Sequence, residues 1–528
     1  MFGKLFARVF VLAGCFCFFG CSEADISFST PGALMLDDGK GSFRFGTATA
    51  AAQIEDGLLD SDWQHWSKPA ADGGRGEGAD YVGDAVLGFS RALDDVSLLT
   101  DLGLDAYRFS VDWSRIEPRR DDIDLEGIAH YRGFLERLVA NDIIPMVTVH
   151  HFSSPLWAHD FLQGKCSDDD VPTDDNLCGW GHPQGGDELI AEIAEFAGRL
   201  AREYGDLVDE WCSLNEPINY IIASYAVGQF PPGEALIIEN FDRLMSVYRN
   251  YVKAHVAIYD AIKANDLVDA DGDGVAAQIG LSLNAIDWVP SSDNKPSTNI
   301  KDVRARDRVW YFYHHFFVDS LVQGTFDTDL DSLPDEEHPE WQGKIDWLGV
   351  QYYSRNGVTG APALMPGVDA TLCVGQIDLG SCLPPKDPTH WIDSMHYEYH
   401  EEGVYNVLTD IGARYPDLPL VMTESGIASN NGRRRAEHIV RTLEQTVRAM
   451  NQGVDVRGYY HWSLMDNFEW SEGYLPRFGL YEVDRATFER RPTEGALVYR
   501  DIIRARGLSA KVRDAYGGTG PMTPDNVK

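Results

Sequence analysis

Eight short apolar runs recur along residues 41–505, and the stretches between them repeat their apolar residues at helical spacing. The runs are FRFGTATA near 43, AYRFSVDW near 106, IPMVTVHH near 144, EWCSLNEP near 210, QIGLSLN near 278, DWLGVQYY near 346, PLVMTESG near 419 and VRGYYHWSL near 456. GDELIAEIAEFAGRLAREYG and RRRAEHIVRTLEQTVRAMNQG are two of the intervening helical patterns. A strand that is apolar on both faces must be covered on both, and parallel neighbours need a crossover helix between them. The alternation therefore predicts an α/β fold, and eight units is the number that closes a single (β/α)8 TIM barrel with long βα loops. No stretch within 41–505 reads as a linker, so this span is one domain, followed by a polar C-terminal tail at 506–528.

Polar and aromatic residues collect at the C-terminal ends of these runs, where such barrels carry their chemistry. They are Gln53, Arg108, His151, Asn215 with Glu216, Asn284, Tyr353, Glu424 and, after the eighth run, Trp462, Glu469 and Trp470. Glu216 and Glu424 stand out. Each ends an apolar run and is followed by a backbone breaker, Pro217 directly after Glu216 and Gly426 two residues after Glu424, which puts an ionisable group at the barrel mouth. Two facing carboxyls suit cleavage of a glycosidic bond. Pro217 also allows Glu216 to start a helix that Asn215 caps.

Asp and Glu number 83 against 45 Lys and Arg, and the formal charge of −38 repels phosphate backbones, which excludes nucleic acid as a partner. Lys4 and Arg8 precede the apolar stretch VFVLAGCFCFFG, a leader pattern too short to span a bilayer. Residues 1–20 read as a lipoprotein-type signal peptide and 21–40 as a tether. LAGC and FFGC both resemble a lipid-attachment signal, and the length of the apolar stretch favours Cys21 over Cys15. Membrane association is then through a lipid anchor alone, and the protein is exported, periplasmic or anchored at the outer membrane. Cys166 with Cys178, and Cys373 with Cys382, flank turn-rich segments and are disulfide candidates in keeping with export. Cys212 lies inside an apolar run and reads as a buried thiol.

The motifs FRFGTATAAAQIE, YRFSVDWSRIEP, TVHHF, SLNEP, GVQYYSR, TESGIA and HWSLMDNFEWSEGYLPRFGL resemble, in order and interval, those of glycoside hydrolase family 1, the β-glucosidase family. The resemblance covers about residues 41–490. It implies that Glu216 is the general acid/base and Glu424 the nucleophile. Asn215 would hold the sugar 2-hydroxyl, and Gln53, His151, Glu469 and Trp470 the outer hydroxyls. Trp462 would stack beneath the ring, while Arg108 and Tyr353 would flank Glu424, with Tyr353 also facing the sugar. The chain departs from the usual motifs at Ser425, Gln351, Phe152, Ser153 and Asp56, and none of these removes a catalytic group.

The physics of the pair fits these roles. A retaining glycosidase holds its two carboxyls about 5–5.5 Å apart, one protonated and one ionised. Arg108 is expected to lower the pKa of Glu424, and burial with repulsion from Glu424 to keep Glu216 protonated. Glu469 and Glu472 would repel a phosphorylated sugar, which leaves a neutral β-linked saccharide or glycoside as substrate. The expected activity is retaining, exo-acting hydrolysis of terminal β-D-glycosyl residues, with glucose, galactose and fucose all open. Transfer of the same glycosyl ester to another acceptor is the alternative, and a catalytically silent sugar-binding barrel a remoter one. No cofactor is expected. DADGDG, from Asp269 to Gly274, places Asp269, Asp271 and Asp273 like the start of a calcium loop, but the twelfth position is Gly280 where a glutamate is required, so a solvated acidic loop is the preferred reading. The sequence leaves the oligomeric state open.

Overall fold

A computed structural model describes residues 25–34, 42–373 and 378–525. The leader at 1–20 and the lipidation candidates Cys15 and Cys21 lie outside the described residues. Eight strands match the eight apolar runs: β1 (Arg44–Ala48), β2 (Ala106–Ser110), β3 (Ile144–His150), β4 (Glu210–Asn215), β5 (Gln278–Ser292), β6 (Trp347–Thr359), β7 (Leu420–Ser425) and β8 (Val456–Trp462). Each is parallel to its sequence neighbour, and the β8–β1 pairing closes the cylinder. The principal helices following them are α1 (Ala92–Leu102), α2 (Leu125–Val139), α3 (Gly185–Tyr204), α4 (Phe241–Asn265), α5 (Ile300–His314), α6 (Glu401–Arg414), α7 (Gly432–Met450) and α8 (Glu494–Ala505). This is the (β/α)8 barrel the alternation predicts.

The barrel is packed, not hollow. Ala106, Met146, Cys212, Trp347, Val421 and Tyr460, from six strands, form one buried cluster with Leu34. At its N-terminal end the first residues of β1 and β4, Arg44 and Glu210, make an ion pair with both side chains 1% exposed. Size complementarity sets the β5–β6 seam: Gly280 stands in register with Trp347, and a Cβ on it would meet the indole and the Trp347 carbonyl at 2.4 Å.

Two loops on the catalytic side carry disulfides, Cys166–Cys178 after β3 and Cys373–Cys382 after β6. The described parts of the expected tether and tail are built into the body. Ile26–Ser27 pairs antiparallel with Gly507–Leu508. Beyond the helix Ala510–Tyr516, Arg441 of α7 donates to the carbonyls of Gly520 and Pro521 at 2.7 and 3.1 Å, and Met522 is buried. Arginine bonds to backbone carbonyls and a few apolar anchors hold a segment that composition alone reads as polar and free. Among the described residues no helix is long and apolar enough to cross a membrane.

Gly280→Ala is expected to destabilise the barrel by about 1–3 kcal/mol through overpacking against Trp347. A denaturant midpoint equal to that of the parent would show that the β5–β6 seam tolerates a methyl.

Candidate active site

A cavity of about 330 Å³ opens at the C-terminal ends of the strands and is lined by both Glu216 and Glu424. Glu424 is the fifth residue of β7, and Glu216 follows the last residue of β4. Glu216 has a left-handed backbone (φ 42°), its N–H donates to the Ser282 carbonyl at 2.8 Å, and its own carbonyl accepts the Tyr220 N–H at 2.9 Å. A non-glycine residue there costs about 1–3 kcal/mol, and the reversal turns the chain from strand into the helix Pro217–Ile221. Glu216 is itself the N-cap of that helix, with no side-chain cap. Asn215 does not cap it either, because its amide is engaged across the barrel.

Arg108 is the centre of that engagement. Its side chain is wholly buried, and it donates to Glu424 Oε1 at 2.5 Å and to Asn215 Oδ1 at 2.7 Å. Gln351 Nε2 donates to the same Asn215 oxygen at 2.8 Å. With Oδ1 holding two donors, the Asn215 amide is fixed, and Asn215 lines the cavity. Tyr353 donates to Glu424 Oε2 at 2.7 Å, so each nucleophile-side oxygen has its own donor. Strand pairing shifts register beside Asn215, beside Gln351 and after Tyr352. Such irregularities re-aim side chains at functional ends of strands.

Burial raises the pKa of both carboxyls. Glu216 is raised well above the usual range, first by burial and then by the Glu424 charge, against one donor, Asn219 Nδ2, at 2.9 Å from Oε2. For Glu424 burial is again the largest cause, but Arg108 and Tyr353 pull it back. The expectation that Arg108 leaves Glu424 below its ordinary value is therefore corrected: the guanidinium lowers it, desolvation outweighs that, and the inequality between the two carboxyls survives with Glu216 the higher.

Around the inner end of the cavity stand His151, Trp462, Glu469 and Trp470. His151 is driven well below the ordinary histidine range by burial and by Arg108, so it is neutral, and its Nδ1 has no partner. Its ring lies nearly parallel to those of Trp462 and Trp470, with centroids 5.9 and 6.0 Å away. Gln53 is fully buried behind this wall, donating to the Phe468 carbonyl at 2.7 Å and to Glu469 Oε2 at 3.4 Å, and its Oε1 has no donor. Glu469, expected as a pure acceptor, is pushed up to about 8 by burial and then by the Glu424 charge. Near neutral pH it is mostly protonated and offers a donor as well.

Several cavity residues gave no sequence signal. Asn219 is one, on the wall beside the Glu216 carboxyl it donates to, whereas Gln351, noted in the sequence only as an unusual residue before the tyrosine pair, acts on the site through Asn215. Tyr313 sits on α5, where an aromatic residue reads as core, and Met395 and Tyr397 come from the loop between β6 and α6, which has no periodicity. Ile222 and Ala223 line the cavity from a π-helical turn, Ile222–Ala226, that continues the helix after Glu216. An aromatic or aliphatic residue in such a place is indistinguishable from packing until the fold is known.

The family profile described as Glycosyl hydrolase family 1 matches residues 38–508. The chain is 30% identical over 525 residues to a β-galactosidase of Sulfolobus acidocaldarius, covering 90% of this chain and 96% of that one. Its structure resembles a β-glycosidase from Pyrococcus horikoshii with TM-score 0.73 and 28% identity, over 92% of this chain and 98% of that one. It also resembles a β-glucosidase from Thermotoga maritima in complex with deoxynojirimycin, with TM-score 0.72 and 26% identity, over 90% and 100% of the two chains.

The two carboxyls influence each other through charge but have separate donors, so a single substitution can act first on one of them. Tyr353→Phe removes a donor that favours ionised Glu424, which raises its pKa and moves the acid limb of the kcat/KM profile to higher pH. Asn219→Ala removes a donor that favours ionised Glu216, which raises that pKa and moves the alkaline limb upward. Each shift is expected at up to about 1 pH unit. Profiles in which both variants move the same limb would contradict the assignment.

Proposed function

The chain belongs to glycosyl hydrolase family 1, and from that membership we propose that it removes terminal β-D-glycosyl residues from neutral glycosides by double displacement at Glu424 and Glu216. It is a glycoside hydrolase. The observation that carries the reading is the unequal support of the two carboxyls: two donors, one cationic, on Glu424, and one neutral amide on Glu216. Glu424 attacks the anomeric carbon while Glu216 gives its proton to the leaving oxygen. The ester that results carries no charge, so the repulsion that raised Glu216 ends, and Glu216 takes a proton from water as that water attacks. The steps use this chain's own side chains and need no cofactor.

Asn215, fixed by Arg108 and Gln351, has its remaining amide hydrogens for the sugar 2-hydroxyl, where hydrogen bonds strengthen in the transition state. Trp462 offers its face to the ring, and Gln53, His151, Glu469 and Trp470 the outer polar contacts. Glu469, mostly protonated near neutral pH, meets a neutral hydroxyl as donor or acceptor, Glu472 is exposed away from the cavity, and among the described residues no Lys or Arg lines the cavity to hold a phosphate, which supports an unphosphorylated sugar. Relatives named β-galactosidase and β-glucosidase support a site that takes either sugar, and we place glucosides first, with galactosides and fucosides also accepted. The disulfides and the N-terminal leader pattern support export, with Cys21 as the lipid-bearing residue.

Glu424→Ala is expected to lose at least about 10⁴-fold in kcat on aryl β-glucosides, with azide restoring turnover as an α-glycosyl azide. Glu216→Ala is expected to lose much less on leaving groups that need no proton than on alkyl ones. Turnover of Glu424→Ala near the parent value, or a β-configured azide product, would sink the double-displacement assignment. A panel of aryl glycosides epimeric at C4 or lacking O6 ranks the sugars.

A further inference from the structure

The loop DADGDG, between α4 and β5, lies at the N-terminal end of the barrel, on the face opposite Glu216 and Glu424. Counted along the chain, its twelfth position is Gly280, which has no ligand to give. The fold brings another carboxylate in its place. Asp209, the residue before β4, holds the backbone N–H groups of Ala270 and Asp271 at 3.0 and 2.6 Å. Oxygens of Asp209, Asp269 and Asp271 lie within 4.8 Å of one another.

A separate feature points to a ligand there. Gln278, the first residue of β5, has no exposed surface, yet its carboxamide reaches this loop, with Nε2 donating to Asp273 Oδ2 at 2.5 Å. The Oε1 of the same group has no donor. Glu210, the register partner of Gln278, likewise has its Oε2 buried with no donor. The local cations are occupied: Lys263 binds the Ala277 carbonyl at 2.6 Å and Asp346 at 2.8 Å, and Arg44 binds Glu210 Oε1. Buried acceptors such as Gln278 Oε1 and Glu210 Oε2, left without donors, are costly unless a cation joins them. An all-oxygen set on a loop with carboxylates at alternate positions, and with Gly272 and Gly274 at φ 80° and 93°, suits a large hard cation better than zinc or octahedral magnesium.

We propose that Asp209, Asp269, Asp271 and Gln278 form the protein side of a calcium site. Glu210 and Gln278 are direct register partners, so the ion ties together the N-terminal ends of β4 and β5, the strands that further along carry Asn215 and Ser282, the residues that flank and hold Glu216. Its role is structural and lies outside the chemistry.

Calorimetric titration of calcium chloride into the EDTA-treated, dialysed protein decides whether an ion binds, with Kd expected at about 10⁻⁶–10⁻⁴ M. The melting temperature should rise by about 2–4 °C at a hundredfold excess over Kd, and by less with magnesium. Asp271→Asn keeps the Oδ1 acceptor used by the Asp273 N–H, and is expected to lose one calcium equivalent and the thermal increment while kcat/KM stays within about 2-fold. Asp209→Asn is the second variant if the first does not fold. Absence of any thermal shift in the parent at millimolar calcium overturns the proposal. So does full calcium stoichiometry in the variants, which would move the ion to another acidic cluster, that of Asp327, Asp329 and Asp335 or that of Glu117, Asp121 and Glu192.

Discussion

A single buried guanidinium organises the catalytic end of this barrel. Arg108 has no exposed surface, and a cation so placed is tolerated only where its partners are in place. Its partners are Glu424 and Asn215, one from β7 and one from β4, so the same group that fixes the nucleophile also fixes the amide beside the acid/base. Gln351 supports the arrangement from β6 through the same Asn215 oxygen. Three strands other than that of Arg108 thus meet at one charge. Losing any one partner leaves a buried donor or charge unanswered, which couples the positions of both catalytic carboxyls to one side chain.

The distribution of charge around Arg108 then ranks the acids. Three carboxyls, Glu216, Glu424 and Glu469, line one cavity, and burial raises each. Of the three, Arg108 and Tyr353 donate directly to Glu424 alone and offset its rise most, which makes it the carboxyl that ionises first and the one whose charge then raises the other two. Protonation of Glu216 is in this sense a consequence of Glu424 being ionised. The two roles of a retaining glycosidase follow from one asymmetry, and that asymmetry reverses when Glu424 is esterified.

The eight strands were legible because each is apolar on both faces, and the site residues were legible because polar groups interrupt those runs at one end. Arg108 could be read as a neighbour of Glu424, but the net direction of the Glu424 shift could not, since it depends on how much water the fold removes. Gln351 drew notice only as an unusual residue before a tyrosine pair, and its bond to Asn215 depends on a register shift at Val350/Gln351 that no local pattern encodes. Tyr313, Met395 and Tyr397 were invisible for a different reason: on a helix or in an aperiodic loop, an apolar side chain facing a cavity has the same local sequence as one facing the core. The segments at 25–34 and 506–525 were read as tether and tail because their composition is polar, whereas they are held by backbone pairing and arginine-to-carbonyl bonds that composition does not record.

Along β4 and β6 stability and chemistry are separated by position. The β4–β5 pairing runs in register from Glu210 to Cys212 and shifts before Asn215; the β6–β7 pairing runs from Leu348 to Val350 and shifts at Gln351. The regular portions pack the interior around Trp347, Cys212 and Val421, while each shifted portion delivers a hydrogen-bonding side chain to the cavity wall or to Arg108. A strand that kept its register to the end would direct those side chains by simple alternation, and Asn215 and Gln351 could not both reach the Arg108 cluster by that rule alone. The strained backbone at Glu216 belongs to the same arrangement: the packed half of β4 holds the strand in place, so that the left-handed turn after Asn215 is tolerated where the proton donor has to leave the sheet.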